Sequence, residues 1–236
     1  MSVEIKALRI SVWWSAPIAD RGEPPPLLDD AERERWASLR RAADRAEFAA
    51  GRVLARRAVG VLLGVEPSEV RLHARCPICG GAHGKPVVVG RPEIGLSIAH
   101  AGERVGVAVA DGAQVGLDIE REVPLSDPLN PGAGVLHPLE RDHLAALPPA
   151  RRTHAFLRCW TRKEAVLKAT GEALTTAMDA LQVSPPDEAP RVLRWPGPAA
   201  REVRLHDLEP GAGYAACVAA LTALPLHVTE RTAGRR

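Results

Sequence analysis

Three carboxylates and one scarce lysine are spaced in this sequence so that they could hold a cation against a phosphate. Asp118 and Glu120 lie in Gly116-Leu-Asp-Ile-Glu120, and Glu164 and Lys168 lie in Trp160-Thr-Arg-Lys-Glu-Ala-Val-Leu-Lys168. The chain carries four lysines against 27 arginines, and this second segment holds two of the four, Lys163 and Lys168. At helical spacing Trp160, Glu164 and Lys168 stack on one face, a ring, a carboxylate and an ammonium in a single stripe. An isolated Glu-to-Lys helix pair is worth only about 0.2–0.5 kcal/mol, so the functional weight comes from the second acidic element. In a strand, Asp118 and Glu120 project from one face about 7 Å apart, while Leu117 and Ile119 point into the core. Two such carboxylates repel each other unless a cation or a proton sits between them. With oxygen-only ligands the expected cation is Mg²⁺, which takes one or two carboxylates and completes its shell with water and substrate phosphates. Glu164 could supply a third carboxylate from the helix.

The elements that must position these groups read as two similar halves. The first has a strand over 8–14, a Pro-rich loop at 24–26, and helix over 29–63 with a break near Arg41. Strands follow over 95–98, 105–110 and 114–120, the last two joined as a hairpin by Asp111-Gly112. The second half opens with the turn-rich segment 124–134. It continues through helices over 138–147 and 150–170 and ends in strands over 181–183, 192–195, 202–207 and 214–221. Gly106-Val-Ala-Val-Ala is echoed by Ala215-Ala-Cys-Val-Ala-Ala, each after a long helix. The expected fold is therefore α+β, a pseudo-twofold duplication of two similar α/β subdomains. The expected divisions are 1–122, 123–228, and a disordered tail over 229–236.

Gly-Leu-Asp-Ile-Glu, followed some forty residues later by Trp-x-x-Lys-Glu-x-x-x-Lys, resembles the 4'-phosphopantetheinyl transferases, in particular the larger type that activates nonribosomal peptide and polyketide synthases. Gly84-Lys85-Pro86 and Leu96-Ser-Ile-Ala-His100 add two further pieces, and the four stand in the family's order between residues 84 and 171. Ala99 departs from the serine usual before the histidine, so one hydroxyl contact to phosphate is missing.

The resemblance implies an active site in the cleft between the halves, with coenzyme A as substrate and its diphosphate at a Mg²⁺ held by Asp118, Glu120 and Glu164. Lys168, His100 and Lys85 become the candidate phosphate contacts. The nucleophile would be a serine of an acyl or peptidyl carrier protein, releasing adenosine 3',5'-bisphosphate. Glu140 matches a glutamate assigned as general base in related enzymes, and Glu164 or a metal-bound water is its rival. The 3'-phosphate and adenine need a separate basic pocket, for which Arg45, Arg52 and Arg56 are candidates. Nine residues before Arg56, where the family expects a phosphate-binding arginine, stands Glu47, so Arg45 or Arg40 would have to substitute. Lys163, about 100° around the helix from Glu164, takes a supporting or carrier-facing role. The carrier is expected to dock near the loop 124–139 and the helix after it.

His73, Cys76, Cys79 and His83 could ligate zinc, but their spacing leaves little chain to wrap a tetrahedron, and a reduced Cys-x-x-Cys loop is the favoured reading. Cys159 and Cys217 fall on apolar faces and read as core. Trp13, Trp14, Trp36 and Trp195 read as packing anchors, and His137, His143 and His154 as surface or cap residues. Composition narrows the class: 31 basic against 29 acidic residues give a net charge of +2, without the basic excess of a nucleic-acid binder. No apolar run approaches membrane-helix length, and the N-terminus lacks a signal peptide's shape. A cytoplasmic monomer that meets its anionic ligand locally is the expectation. The competing classes are a catalytically silent relative and a zinc-dependent interaction module.

Overall fold

The computed structural model describes residues 6–76, 79–81, 84–130, 134–171, 176–196 and 202–233. The first half runs β1 (Leu8–Ser15), α1 (Asp30–Ser38), α2 (Ala42–Leu63), β2 (Leu72–His73), β3 (Val87–Val88), β4 (Ile94–Ala101) and β5 (Arg104–Asp111). The second repeats that order as β6 (Val115–Arg121), α3 (Pro138–Ala146), α4 (Pro149–Thr170), β7 (Gln182–Val183), β8 (Val192–Arg194), β9 (Val203–Leu208) and β10 (Tyr214–Leu221). One more strand, β11 (Leu226–Thr232), follows. The sheet orders repeat as well: β1-β5-β4 in the first sheet and β6-β10-β9 in the second, all antiparallel, with β11 added parallel to β1. The fold is thus α+β and internally duplicated.

Period-two alternation builds the core. Ile10, Val12 and Trp14 from β1 meet Val115, Leu117 and Ile119 from β6 between the two sheets. Each such side chain, taken fully out of water, stabilises the fold by about 1.5–3 kcal/mol. The opposite faces carry the long helices. Leu54, Ala58 and Val59 of α2 pack on Leu96, Val107 and Val109, and Ala165, Val166 and Ala169 of α4 pack on Cys217 and Ala219. Both long helices end at a glycine in the left-handed region, Gly64 (φ 69°) and Gly171 (φ 77°), where a residue with a Cβ is strained.

Each short helix starts with a capping box, Asp29 with Glu32 for α1 and His137 with Glu140 for α3. Each box glutamate also reaches a buried cation of the following long helix, Glu32 to Arg56 at 2.8 Å and Glu140 to Lys163 at 2.5 Å. The duplication therefore extends to its polar core.

The two sheets meet along β4 and β6. The Leu117 N–H donates to Ser97 Oγ at 2.9 Å, and a Cβ on Gly95 would lie 2.1 Å from the Ala113 carbonyl oxygen. On the other side β11 lies between β1 and β9, and Glu230 ties the seam by accepting from Trp14 Nε1 at 2.8 Å and from the Glu209 N–H at 3.0 Å. This corrects the expectation of a frayed tail: residues 229–232 complete β11. The last four residues of the strand, Thr-Glu-Arg-Thr, carry no apolar alternation, so their order comes from pairing with β1, which composition cannot reveal. The helix expected over 29–63 with a break near Arg41 divides there, at residues 39–41. Trp14, Trp36, Cys159 and Cys217 are buried, as their apolar settings suggested. No helix among the described residues is long and apolar enough to cross a membrane.

Candidate active site at the β6–α4 contact

Gly116 sets the distance on which the site depends. A Cβ there would stand 2.0 Å from the Ala165 carbonyl oxygen and 2.3 Å from the Ala169 nitrogen, so β6 and α4 touch backbone to backbone. Two residues along the strand, Asp118 then meets the helix stripe directly. Its Oδ1 accepts from Lys168 Nζ at 2.6 Å. Glu120 Oε1 accepts from Trp160 Nε1 at 3.2 Å. The Trp160, Glu164 and Lys168 stripe therefore faces the Asp118 and Glu120 strand, as the two periodicities require.

Asp118 is 4% exposed and its Oδ2 is buried with no hydrogen-bond partner. Burial pushes its carboxyl up to about 7; Lys168 opposes the rise, and the charges of Glu120 and Glu164 add to it. Glu120 is also raised, by burial, against the hydrogen bond from Trp160 and the charge of Lys168; the Glu164 carboxylate adds to the rise, and the charge of His100 opposes it. Among the described residues no three His, Cys, Asp or Glu groups already converge as ligands. The donor set nevertheless fits a hard divalent cation: the charges of Glu120 and Glu164 push Asp118 up, that of Glu164 pushes Glu120 up, and one buried oxygen of Asp118 lacks a partner. Leaving such an oxygen unmade costs about 1–3 kcal/mol or more, which a cation at that position would offset.

The other candidates divide. His100, at the end of β4, is half-exposed and pairs through Nδ1 with Glu47 Oε2 at 3.0 Å, so the glutamate standing where an arginine was expected holds the histidine. Lys85 donates to the Ala169 carbonyl at the end of α4 at 3.1 Å, and burial pushes its ammonium down to about 8. Lys168 and His100 thus bring positive charge to the carboxylates, and Lys85 sits at the C-terminal end of α4. Arg52 is buried, with Nε 3.7 Å from Glu32 and its guanidinium over the Phe48 ring. It lines a cavity of about 280 Å³ together with Arg35, His73 and Arg75.

Arg45 does not join this cluster. Its fork holds Asp20 at 2.6 Å and the Leu39 carbonyl at 2.8 Å, and it lies over the Trp36 ring, which clamps the segment after β1 to α2. Arg56 is likewise spent on Asp29 and Glu32. Glu140 is the larger correction. It is 4% exposed, its Oε2 accepts from the His137 N–H at 2.9 Å and from Lys163, and its Oε1 accepts from the Val183 N–H at 2.9 Å. A carboxylate so enclosed has no free oxygen for a substrate proton. Lys163 is fully buried and also donates to the Val135 and Met178 carbonyls at 2.9 and 3.0 Å, so it supports the fold and faces no carrier. Of the zinc set, Cys76 is buried and Cys79 exposed, and His83 lies outside the described residues.

Sequence reasoning missed the neighbour of Lys163. Arg162 is fully buried and binds both oxygens of Asp207 at 3.0 and 2.6 Å, together with the carbonyls of Ser184, Pro185 and Glu188. Arg158 pairs with the same carboxylate. The only signal was an acid inside the strand pattern of residues 202–207, which demands a buried partner.

Residues 114–219 match the family model of the 4'-phosphopantetheinyl transferase superfamily. Asp118, Glu120, Glu164 and Lys168 fall inside that span, whereas Lys85 and His100 precede it. The chain is 35% identical over 133 residues to the 4'-phosphopantetheinyl transferase HetI of Nostoc, a match covering 55% of this chain and 54% of that protein. It is 26% identical over 170 residues to a 4'-phosphopantetheinyl transferase of Bacillus subtilis, covering 72% of each. It is 32% identical to AcpT of Salmonella typhi over 54% of this chain and 59% of that one. For HetI and AcpT, then, the match spans little more than half the relative's length. A solved apo-ACPS structure of Chronobacterium ammoiniagenes aligns with 46% of this chain and 94% of its own at 23% identity and a TM-score of 0.36.

Proposed function

We propose that this chain, a member of the 4'-phosphopantetheinyl transferase superfamily, transfers the 4'-phosphopantetheine group of coenzyme A to a serine of an acyl or peptidyl carrier protein. The observation that carries the reading is the buried, unpartnered Asp118 Oδ2, beside Lys168 and inside the segment the family model matches. Mg²⁺ held by Asp118, Glu120 and Glu164 would neutralise charge on the coenzyme A diphosphate.

The chain's own residues supply the rest. Lys168, whose side chain is 31% exposed, offers its ammonium to a phosphate oxygen as a point charge. His100 on β4 and Lys85 at the end of α4 fix the diphosphate's orientation. The cavity lined by Arg35, Arg52, His73 and Arg75 suits the 3'-phosphate and adenine, with arginine forks matching phosphate geometry. The carrier serine attacks the β-phosphate, and the adenosine 3',5'-bisphosphate leaves. With Glu140 enclosed, Glu164, half-buried on the site face of α4, is the carboxylate left to take the serine proton.

The carrier surface is the edge carrying Val123 and Leu139, which are 48% and 59% exposed on either side of the loop 124–138. The two repeats, 8–111 and 115–221 rather than the expected 1–122 and 123–228, act as the halves of a cytoplasmic monomer, with His100 of the first facing Glu120 of the second. The test is stoichiometry. Each carrier modified should release one adenosine 3',5'-bisphosphate, and a carrier with its serine replaced by alanine should release none. Nucleotide release without carrier modification would rule the reading out.

A further inference from the structure

Because the halves repeat, each residue of the site has a counterpart in the other half. In the second sheet, Asp118 and Glu120 pair with Cys217 and Ala215, the fourth and second residues of β10. In the first sheet, the fourth and second residues of β5 are Val107 and Val105, and they pair with Trp13 and Ser15. Trp13 therefore stands where Asp118 does, and Ser15 where Glu120 does. The helices align independently of the strands. Both long helices have 22 residues, and Arg56 and Lys163 are each the fifteenth, each paired to its capping-box glutamate. Arg57 then stands where Glu164 does, and Val53 where Trp160 does.

Two of the replacements invert the chemistry. Asp118 Oδ2 is a buried acceptor without a partner, and Trp13 Nε1 is a buried donor without a partner. A carboxylate on α4 becomes a guanidinium on α2. Beside Ser15, Val53 and Arg57 lies a cavity of about 610 Å³, lined also by Pro17, Ile18 and Arg21 among others, with no acidic residue in its wall. Neither arginine has a carboxylate partner among the described residues. A second cavity of about 810 Å³ adjoins it, sharing Arg57 and Ala233, and carries Trp13. At the seam, β11 lies beside β1, as β4 lies beside β6.

We propose that this counterpart cleft binds a small anion with an apolar tail. Its head group sits on Arg57 and Arg21, and its tail runs along Ile18, Pro17 and Val53. An apolar wall with a few convergent polar groups is the usual build of a small-molecule site, and two unpaired arginines select an anionic head, carboxylate or phosphate. The inference rests on the internal repeat and stands apart from the transfer reaction.

The test titrates the full-length protein by calorimetry with dodecanoate and with dodecyl phosphate, below micelle-forming concentrations, with inorganic phosphate as the head-group control. One saturable site is expected for at least one amphiphile, and the better of the two identifies the head group. Arg57→Glu and Arg21→Glu should each weaken it about tenfold or more, while both variants still modify a carrier protein, which shows that they fold. Coenzyme A should not compete. The proposal is overturned if neither amphiphile saturates, if both variants bind like the parent, if inorganic phosphate binds as tightly, or if coenzyme A displaces the amphiphile. A protein that binds the amphiphile but modifies no carrier would sink the proposed function and leave this inference standing.

Discussion

Replacing Glu140 by Gln separates a structural glutamate from a catalytic one. The side chain keeps its shape but exchanges one carboxylate oxygen for an amide NH₂. Three donors point at Glu140: the His137 N–H, the Val183 N–H and the Lys163 ammonium. An amide has one oxygen for them, and its NH₂ must face at least one donor with no water to mediate, since Glu140 is 4% exposed and Lys163 fully buried. Lys163 keeps its carbonyl partners but loses its counter-charge. Removing one member of a buried pair costs about 3–5 kcal/mol, which in a chain of this size corresponds to a fall in melting temperature of roughly 6–20 °C. Below the transition, where the variant is folded, kcat/KM for carrier modification should stay within about threefold of the parent. Pairing Glu140→Gln with Lys163→Met should recover part of the lost stability, because the stranded charge is gone. A general base predicts the reverse, since removing one costs about 10²–10⁴ in rate. A hundredfold loss of kcat with an unchanged melting temperature would refute the structural assignment of Glu140.

Other outcomes follow from the same contacts. Burial raises the Asp118 carboxyl to about 7, so its neutral form is favoured in the fold; that stability is fully present below about pH 3.8 and is lost as pH rises through 7. Asp118→Asn, denatured in the presence of a chelator, should therefore exceed the parent in stability at pH 8, by an amount up to the order of 4 kcal/mol. It should show no advantage near pH 4 and should lose transfer; equal stability at pH 8 would mean the carboxylate is not paying for its burial. Gly116→Ala puts a Cβ 2.0 Å from the Ala165 carbonyl and should destabilise by about 3 kcal/mol or more in urea, with a raised KM for coenzyme A as α4 moves off β6; a neutral outcome would mean that the backbone contact is not tight. Lys85 loses its charge above about pH 8, so KM for coenzyme A should climb from pH 8 to 9. The climb should be absent in Lys85→Arg, and its persistence there would remove Lys85 from the phosphate contacts.

What could be read from the chain was what local periodicity controls. Asp118 and Glu120 alternate with Leu117 and Ile119, and Trp160, Glu164 and Lys168 recur every fourth residue, so each stripe was visible before the fold was known. That the stripes meet depends on Gly116, whose missing Cβ is a tertiary requirement with no local signature. Glu140 could be read only as a candidate base and Lys163 only as supporting or carrier-facing, for the same reason. A glutamate three residues after a cap and a lysine inside a motif look exposed, and only their contact at 2.5 Å shows them to be each other's solvent. Arg45 presented the composition of a phosphate contact, but its partner Asp20 is 25 residues away in sequence. Strand β11 escaped because only Leu226 and Val228 alternate, and pairing to β1 orders the polar residues 229–232 beyond them.

The account stands or falls on whether Asp118 is required for phosphopantetheine transfer to a carrier. The direct measurement is the intact mass of an apo carrier protein after incubation with coenzyme A, Mg²⁺ and either the parent protein or Asp118→Ala, each with a chelator control. The expected result is a phosphopantetheine adduct with the parent and Mg²⁺ alone, and none with the variant or the chelator, while circular dichroism shows both proteins folded. An adduct formed equally by Asp118→Ala, or none by the parent across several acyl and peptidyl carriers, would contradict it.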